Sequence, residues 1–183
     1  MNYIGSKYSL LDFLENTISE VTKDNKGYVF ADLFAGTGVV GTSYKRKGYR
    51  VISNDIQYYS YVLNRHYIVN SNPLNNEILS YLNSLKGIKG FIYNNYCLGS
   101  GSDRNYFTDS NGMKCDAIRT ELEKLYKNNL IDENTYFYFL ASLINSIDKY
   151  ANTASVYGAF LKKIKKSASK DFTLELLPII DGE

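Results

Sequence analysis

The stretch VFADLFAGTGVVGTSYKRKGYRVISNDI, Val29 to Ile56, decides how the rest of the chain is read. YVFADLF, Tyr28 to Phe34, is a short apolar, β-branched and aromatic run, and it reads as a buried strand. TGVVGTSYKRKG then opens a helix directly after Gly36 and Gly38 and closes it at Gly48. YRVISNDI reads as a second strand. Strand, glycine turn, helix, strand is the βαβ unit of a parallel sheet, so the fold class is α/β. Gly36, Gly38 and Gly41 fit the G-x-G-x-x-G pattern, and Asp55 follows 19 positions after Gly36, where that pattern wants a ribose ligand.

The glycine pattern alone does not name the ligand. Asp32, inside the first strand and four residues before Gly36, sharpens it. A carboxylate there repels a pyrophosphate and attracts a cation. S-adenosylmethionine offers a sulfonium, an ammonium and a ribose, and carries no phosphate. Gly36 and Gly38 would let the backbone approach its methionyl arm, and Asp55 could accept both ribose hydroxyls. A capping role for Asp32, a turn role for Asp55 and a nicotinamide-dependent oxidoreductase stay open as alternatives.

Outward from this turn, SKYSLLDFLENTISEVTKDNKG places Leu10, Leu11, Leu14, Ile18 and Val21 on one helical stripe ending at Gly27. QYYSYVLNRHYIV and NPLNNEILSYLNSLKG read as further helices. After about residue 88 the pattern breaks. FIYNNYCLGSGSDRNYFTDSNGMKCD is rich in Gly, Asn and Ser with interleaved aromatics, and a loop or hairpin is expected there. CDAIRTELEKLYKNN and DENTYFYFLASLINSIDKY are expected helices, the second with Tyr136, Phe137, Leu140, Leu143, Ile144 and Ile147 as its core stripe.

The 183 residues suffice for one domain, or a core with a small lobe, and 44% hydrophobic with 22% charged residues is ordinary for a globular protein. No apolar run approaches the roughly 20 residues that span a bilayer, and the first ten residues lack a signal-peptide core. A cytoplasmic location is the expectation. Cys97, Cys115 and the single histidine, His66, show no zinc spacing and no nucleophile motif, so packed thiols and a packed histidine are expected. The net charge of +2 names no partner, but LKKIKKSASK, Leu161 to Lys170, gathers five lysines. It is either a solvated face or a phosphate-contacting surface.

The sequence resembles the N-terminal part of the Dam-type family of DNA adenine methyltransferases. The resemblance rests on NYIGSK (Asn2 to Lys7), DLFAGTGVVG, SNDI, NYCLGSGSDRNYFTDSNGMKCDAIR and ANTASVYGAFLKKIKKSASK, and it runs along nearly the whole chain. It implies a partial Rossmann-like fold with a helical or hairpin target-recognition region. Residues 1–72 would be the cofactor-binding half, 73–160 the DNA-binding region, and 161–183 a basic segment returning toward the catalytic half. It places Tyr3, Ile4, Lys7, Phe34, Gly36 and Gly38 against S-adenosylmethionine, beside Asp32, with Asp55 on the ribose. It puts Arg104 on DNA, with Tyr106, Phe107 and Asn111 as lesser candidates, and makes Lys162 and Lys163 phosphate contacts.

The activity so implied is methyl transfer to the exocyclic amine of adenine, in a restriction-modification setting. Family members hold the flipped adenine with a short polar residue, two prolines and an aromatic. This sequence has no Pro-Pro pair: Pro73 precedes Leu74, and Pro178 lies in ELLPIIDGE. No catalytic residue is therefore expected here, and the chain alone is expected to be inactive. The expected partners are double-stranded DNA and a polypeptide carrying the catalytic motif. An exposed sheet edge also leads us to expect self-association.

Overall fold

The computed structural model describes residues 5–71, 76–154 and 158–182. Of these, 5–71 and 178–182 form one compact unit, and 76–154 with 158–177 form another.

In the first unit the Ser6 side chain accepts from the Tyr8 N–H and caps a 3-10 turn, Lys7–Leu10, which runs into α1 (Leu11–Thr22). The left-handed Lys23 ends that helix. Strands β1 (Val29–Asp32) and β2 (Arg50–Ser53) pair in parallel, Val29 opposite Arg50 and Asp32 opposite Ser53, and α2 (Val39–Arg46) links them. The expected βαβ unit is present. Val40, Tyr44 and Tyr49 form its core, with Leu11, Leu14, Ile18, Phe30 and Val51 packed around them. Phe30 stacks on Tyr44 at 3.9 Å between ring centroids. Gly41 gives α2 its close approach to β2: a Cβ there would sit 3.0 Å from Ser53 Oγ and 3.3 Å from Val51 Cγ1.

Two expectations fail here. Leu10 and Val21 are exposed, because Leu10 belongs to the 3-10 turn and Val21 to the last turn, both outside the small core. β1 is not a buried strand. Its alternation leaves Val29 and Ala31 exposed while Phe30 and Asp32 are half-buried, and β2 repeats this with Arg50 and Ile52 outward. Core packing reaches one face of this two-stranded sheet, so its other face remains open.

α3 (Tyr58–Asn64) continues as a π-helical turn, Arg65–Val69. Lys45 of α2 is fully buried, and its Nζ donates to the carbonyls of Tyr67 (3.4 Å) and Asn70 (3.0 Å). Residues 178–182 return here. His66 Nε2 lies 3.1 Å from the Pro178 carbonyl, and Ser71 Oγ donates to the Gly182 carbonyl. His66 is packed, as expected, and burial pushes its pKa down to about 4.

The second unit holds α4 (Asn76–Ser84), α5 (Phe91–Tyr96), α6 (Asp109–Lys127) and α7 (Glu133–Tyr150). Both expected long helices are present, with Ile118, Leu122, Phe139 and Leu143 among the fully buried side chains. The loop or hairpin expected after residue 90 is instead α5, the loop 97–108, and an α6 that starts six residues earlier than its sequence suggests. Caps explain the difference. Buried Asp116 accepts from the N–H groups of Gly90, Ile92 and Tyr93 and anchors the start of α5. Thr108 accepts from Asn111 N–H and starts α6. Both cysteines are buried free thiols, and burial raises the pKa of Cys97 to about 12.

Residues 161–177 form a strap in no sheet, with a turn at 166–169 and a run without regular secondary structure from 171, and side chains supply many of its backbone partners. Asn111 Nδ2 donates to the carbonyls of Ala168 and Lys170, and its Oδ1 accepts from Phe172 N–H. Asn83 holds both backbone groups of Leu174, Ser146 holds those of Glu175, and Ser142 accepts from Leu177 N–H. Phe172, Leu174 and Leu177 point into the core between these bonds.

Candidate cofactor site and nucleic-acid surface

The glycine turn follows β1 directly. Phe34 N–H donates to Asp32 Oδ1 at 3.3 Å, and Ala35 N–H donates to the Asn54 carbonyl at 2.9 Å, which extends the pairing past the strands. Gly36 and Gly38 hold positive φ, +54° and +78°, so L side chains are strained at both positions. Asp55 closes the turn from β2: its Oδ2 accepts from Gly36 N–H at 2.8 Å and its Oδ1 from Gln57 N–H at 2.9 Å. These donors, Gln57 first, hold its pKa below the ordinary carboxylate value. It is anionic at neutral pH. Each oxygen keeps a lone pair for a further donor.

Lys7 reaches the same turn, its Nζ donating to the Phe34 carbonyl at 2.6 Å. Lys7, Asp32, Phe34, Gly36, Gly38 and Asp55 thus come together in one place, with the Phe34 ring 81% exposed. Tyr3 and Ile4, also assigned to the pocket, lie outside the described residues, as does Pro73. Asp32 carries the most telling feature. Its Oδ2 is buried and has no hydrogen-bond partner among the described residues. A buried carboxylate oxygen without a donor is costly, and it points to a cationic or N–H ligand.

One residue of the turn carried no legible signal. Asn64 of α3, only 7% exposed, donates through Nδ2 to the Gly36 carbonyl (3.0 Å) and to the Ser60 carbonyl (2.8 Å). A Cβ on Gly38 would lie 2.8 Å from Asn64 Oδ1. The small size of Gly38 therefore makes room for Asn64, where the sequence suggested room for a ligand. An asparagine on an amphipathic helix reads as surface, so nothing in the sequence marks it.

The residues assigned to DNA separate into two groups. Arg104 is exposed, its guanidinium 5.6 Å from the Tyr96 ring centroid and its Nη1 3.4 Å from the Asn95 carbonyl. Tyr106 is half-buried and meets Tyr96 and Phe160 edge-on. Lys162 and Lys163 are exposed. Phe107 and Asn111 are interior, at 4% and 2% exposure. Phe107 packs with Tyr93, Cys97 and Ala151, and both polar side-chain atoms of Asn111 are engaged by the strap. In this structure neither side chain presents a surface to DNA.

Among the described residues no group of His, Cys, Asp and Glu is placed to hold a metal ion, and no helix is long and apolar enough to cross a membrane.

Comparison with known proteins matches residues 3–181 to the family described as D12 class N6 adenine-specific DNA methyltransferase. The chain is 53% identical over 178 residues to Type II methyltransferase M.NlaIII of Neisseria lactamica, covering 96% of this chain and 53% of that protein. It is 41% identical over 175 residues to Type II methyltransferase M.CviAII of Paramecium bursaria Chlorella virus 1, covering 93% and 52%. It is 38% identical over 191 residues to Type II methyltransferase M.FokI of Planomicrobium okeanokoites, covering 98% and 29%. The chain thus spans about half or less of the length of these relatives. No solved structure matches it. The family match extends over nearly every residue that builds the glycine turn, the helices and the strap, and the chain belongs to the D12 class of N6 adenine-specific DNA methyltransferases.

Proposed function

We propose that the chain is the cofactor- and DNA-binding portion of a site-specific adenine DNA methyltransferase of a restriction-modification system, built on part of a Rossmann-like fold. The observation that carries the cofactor reading is the pair of carboxylates flanking the glycine turn. Asp55 is anionic with acceptor capacity left, and Asp32 holds a buried oxygen without a donor among the described residues. S-adenosylmethionine fits this donor set. Its ribose hydroxyls would take Asp55, and its positively charged methionyl end would lie on the side of Asp32. A dinucleotide pyrophosphate would bring negative charge toward Asp32, which disfavours the nicotinamide reading.

When bound, S-adenosylmethionine supplies the electrophilic methyl group that adenine's exocyclic amine accepts. The residues of this chain bind and orient. Asn64 and Asp55 hold the glycine turn from both sides, and Lys7 ties the N-terminal turn to the Phe34 carbonyl. Arg104, Lys162 and Lys163 are the exposed cations that would meet duplex phosphates, with Tyr106 beside them. The catalytic step would draw on a further polypeptide segment. The open sheet face supports this: Val29, Leu33 and Ile52 are 46%, 59% and 57% exposed, an apolar surface of the kind another segment covers.

Calorimetric titration of the purified chain with S-adenosylmethionine and with NAD tests the reading. Binding of S-adenosylmethionine alone, weakened at least tenfold by Asp55→Ala, is the expected result. Preference for NAD would overturn it.

A further inference from the structure

Asn152 follows α7 and is fully buried, and every polar atom it owns is used. Its Nδ2 donates to the carbonyls of Asn105 (2.9 Å) and Leu161 (2.8 Å). Its Oδ1 accepts from Lys165 N–H at 3.0 Å. Its main-chain N–H donates to the Tyr106 carbonyl at 2.8 Å, and its carbonyl accepts from Leu161 N–H at 2.9 Å. Five bonds therefore leave one residue for two separate segments, the loop that carries Arg104 and the segment that carries Lys162, Lys163 and Lys166. Neighbouring bonds run the same way. Asn105 Nδ2 lies 3.4 Å from the carbonyls of Leu161 and Lys162, and Lys165 Nζ donates to the Thr153 carbonyl at 2.9 Å.

This arrangement has a chemical logic that packing alone does not supply. A buried amide is costly unless fully satisfied, and a satisfied one fixes the groups around it. Asparagine is the side chain that offers two donors and an acceptor on so short a stem. Aspartate lacks the donors and glutamine is one carbon longer. The lysine turned inward, Lys165, is the one whose backbone N–H Asn152 holds, while Lys162, Lys163 and Lys166 face solvent.

We propose that Asn152 is a positioning residue that joins the Arg104 loop and the lysine segment into one rigid polyanion-contacting surface. The DNA role rests on the function proposed above, whereas the coupling rests on these bonds alone. Arg104 and the lysines then engage duplex phosphates as a set, their spacing fixed before binding. Preorganisation of this kind lowers the ordering cost that flexible lysines would otherwise meet on binding.

The test is Asn152→Leu in the full chain, which is close in volume, adds no charge, and removes both donors and the acceptor. Asn105→Ala, which severs the loop's own bonds to Leu161 and Lys162, is the second variant should the first fail to fold. Hydrogen exchange is read across the chain, and binding to an unmethylated 30-base-pair duplex is read against salt concentration. In either variant, residues 98–107 and 158–166 should exchange faster together while α6 and α7 keep their protection. S-adenosylmethionine binding, if present in the parent chain, should not change. The slope of log affinity against log salt should fall by about 2 to 3, as it would when Arg104, Lys162 and Lys163 are all replaced by alanine, since each phosphate contact contributes about 0.9. If only one segment loosens, or both loosen with the salt slope unchanged, the proposal is overturned. If the triple alanine variant itself leaves the slope unchanged, the DNA reading has failed, and the exchange data alone then decide the coupling.

Discussion

The two units satisfy their backbones in different ways, and the difference governs which side chains remain available for ligands. In the unit of the glycine turn, strand pairing and helices hold most main-chain groups, so Asp32 and Asp55 can aim carboxylate oxygens at the turn. In the helical unit, the strap 161–177 lies against no strand. Polar side chains must replace the missing ladder, and Asn83, Asn111, Ser142, Ser146 and Asn152 are committed to it. In the glycine-turn unit a few interior polar side chains, Lys45 and Asn64 among them, also hold carbonyls. Asp32 and Asp55 nonetheless keep oxygens for other donors, whereas the interior amides of the helical unit are consumed by the strap.

The largest effect should come from removing one of the strap's partners. Asn111→Ala leaves the Ala168 and Lys170 carbonyls and the Phe172 N–H without their bonds. At roughly 1–3 kcal/mol for each unsatisfied group, moderated by water entry, a loss of about 4 kcal/mol is expected. Chemical denaturation would measure it. A loss below about 1 kcal/mol would mean that the strap is held by Phe172, Leu174 and Leu177 and that the side-chain bonds are incidental.

Next comes a pH effect confined to the other unit. The pKa of buried His66 is about 4 when folded and 6.5 when exposed, so the unfolded chain binds its proton first as pH falls. Stability from this group is intact above pH 6.5 and declines between 6.5 and 4, by about 3 kcal/mol in all. The difference in stability between the parent chain and His66→Gln should change across that window. A constant difference contradicts the burial argument.

A smaller change tests the turn. Gly38→Ala forces a side chain to φ +78° and drives its Cβ against Asn64 Oδ1. It should cost about 2 kcal/mol and weaken cofactor binding more than tenfold. Asn111→Ala, by contrast, should leave cofactor affinity unchanged under folding conditions. If Gly38→Ala binds normally, the turn geometry is not what positions the ligand. At the low end, Lys149 and Glu175 form an exposed pair at 2.6 Å. Lys149→Ala should not shift the thermal midpoint measurably, because solvent screens such pairs.

The βαβ unit was legible because each of its signals is local: an apolar run, glycines at fixed offsets, and a carboxylate 19 residues from Gly36. The same locality explains the failures. α5 looks like loop until Asp116, 26 residues from Gly90, supplies its cap. Asn111 and Phe107 look like loop residues free to touch DNA until α6 and the strap bury them. Asn64 and Asn152 show nothing in sequence because their partners are backbone carbonyls brought close by the fold. β1 looked buried because its residues are apolar, and the sequence held no sign that one sheet face would stay open.

The most direct test incubates the purified chain with methyl-labelled S-adenosylmethionine and unmethylated DNA, reading cofactor binding and methyl transfer from the same samples, with Asp55→Ala in parallel. The account predicts binding that Asp55→Ala weakens at least tenfold, and no transfer by the chain alone. Transfer to adenine would contradict the expectation that none of these 183 residues is catalytic. Failure to bind S-adenosylmethionine at all would contradict the cofactor site itself.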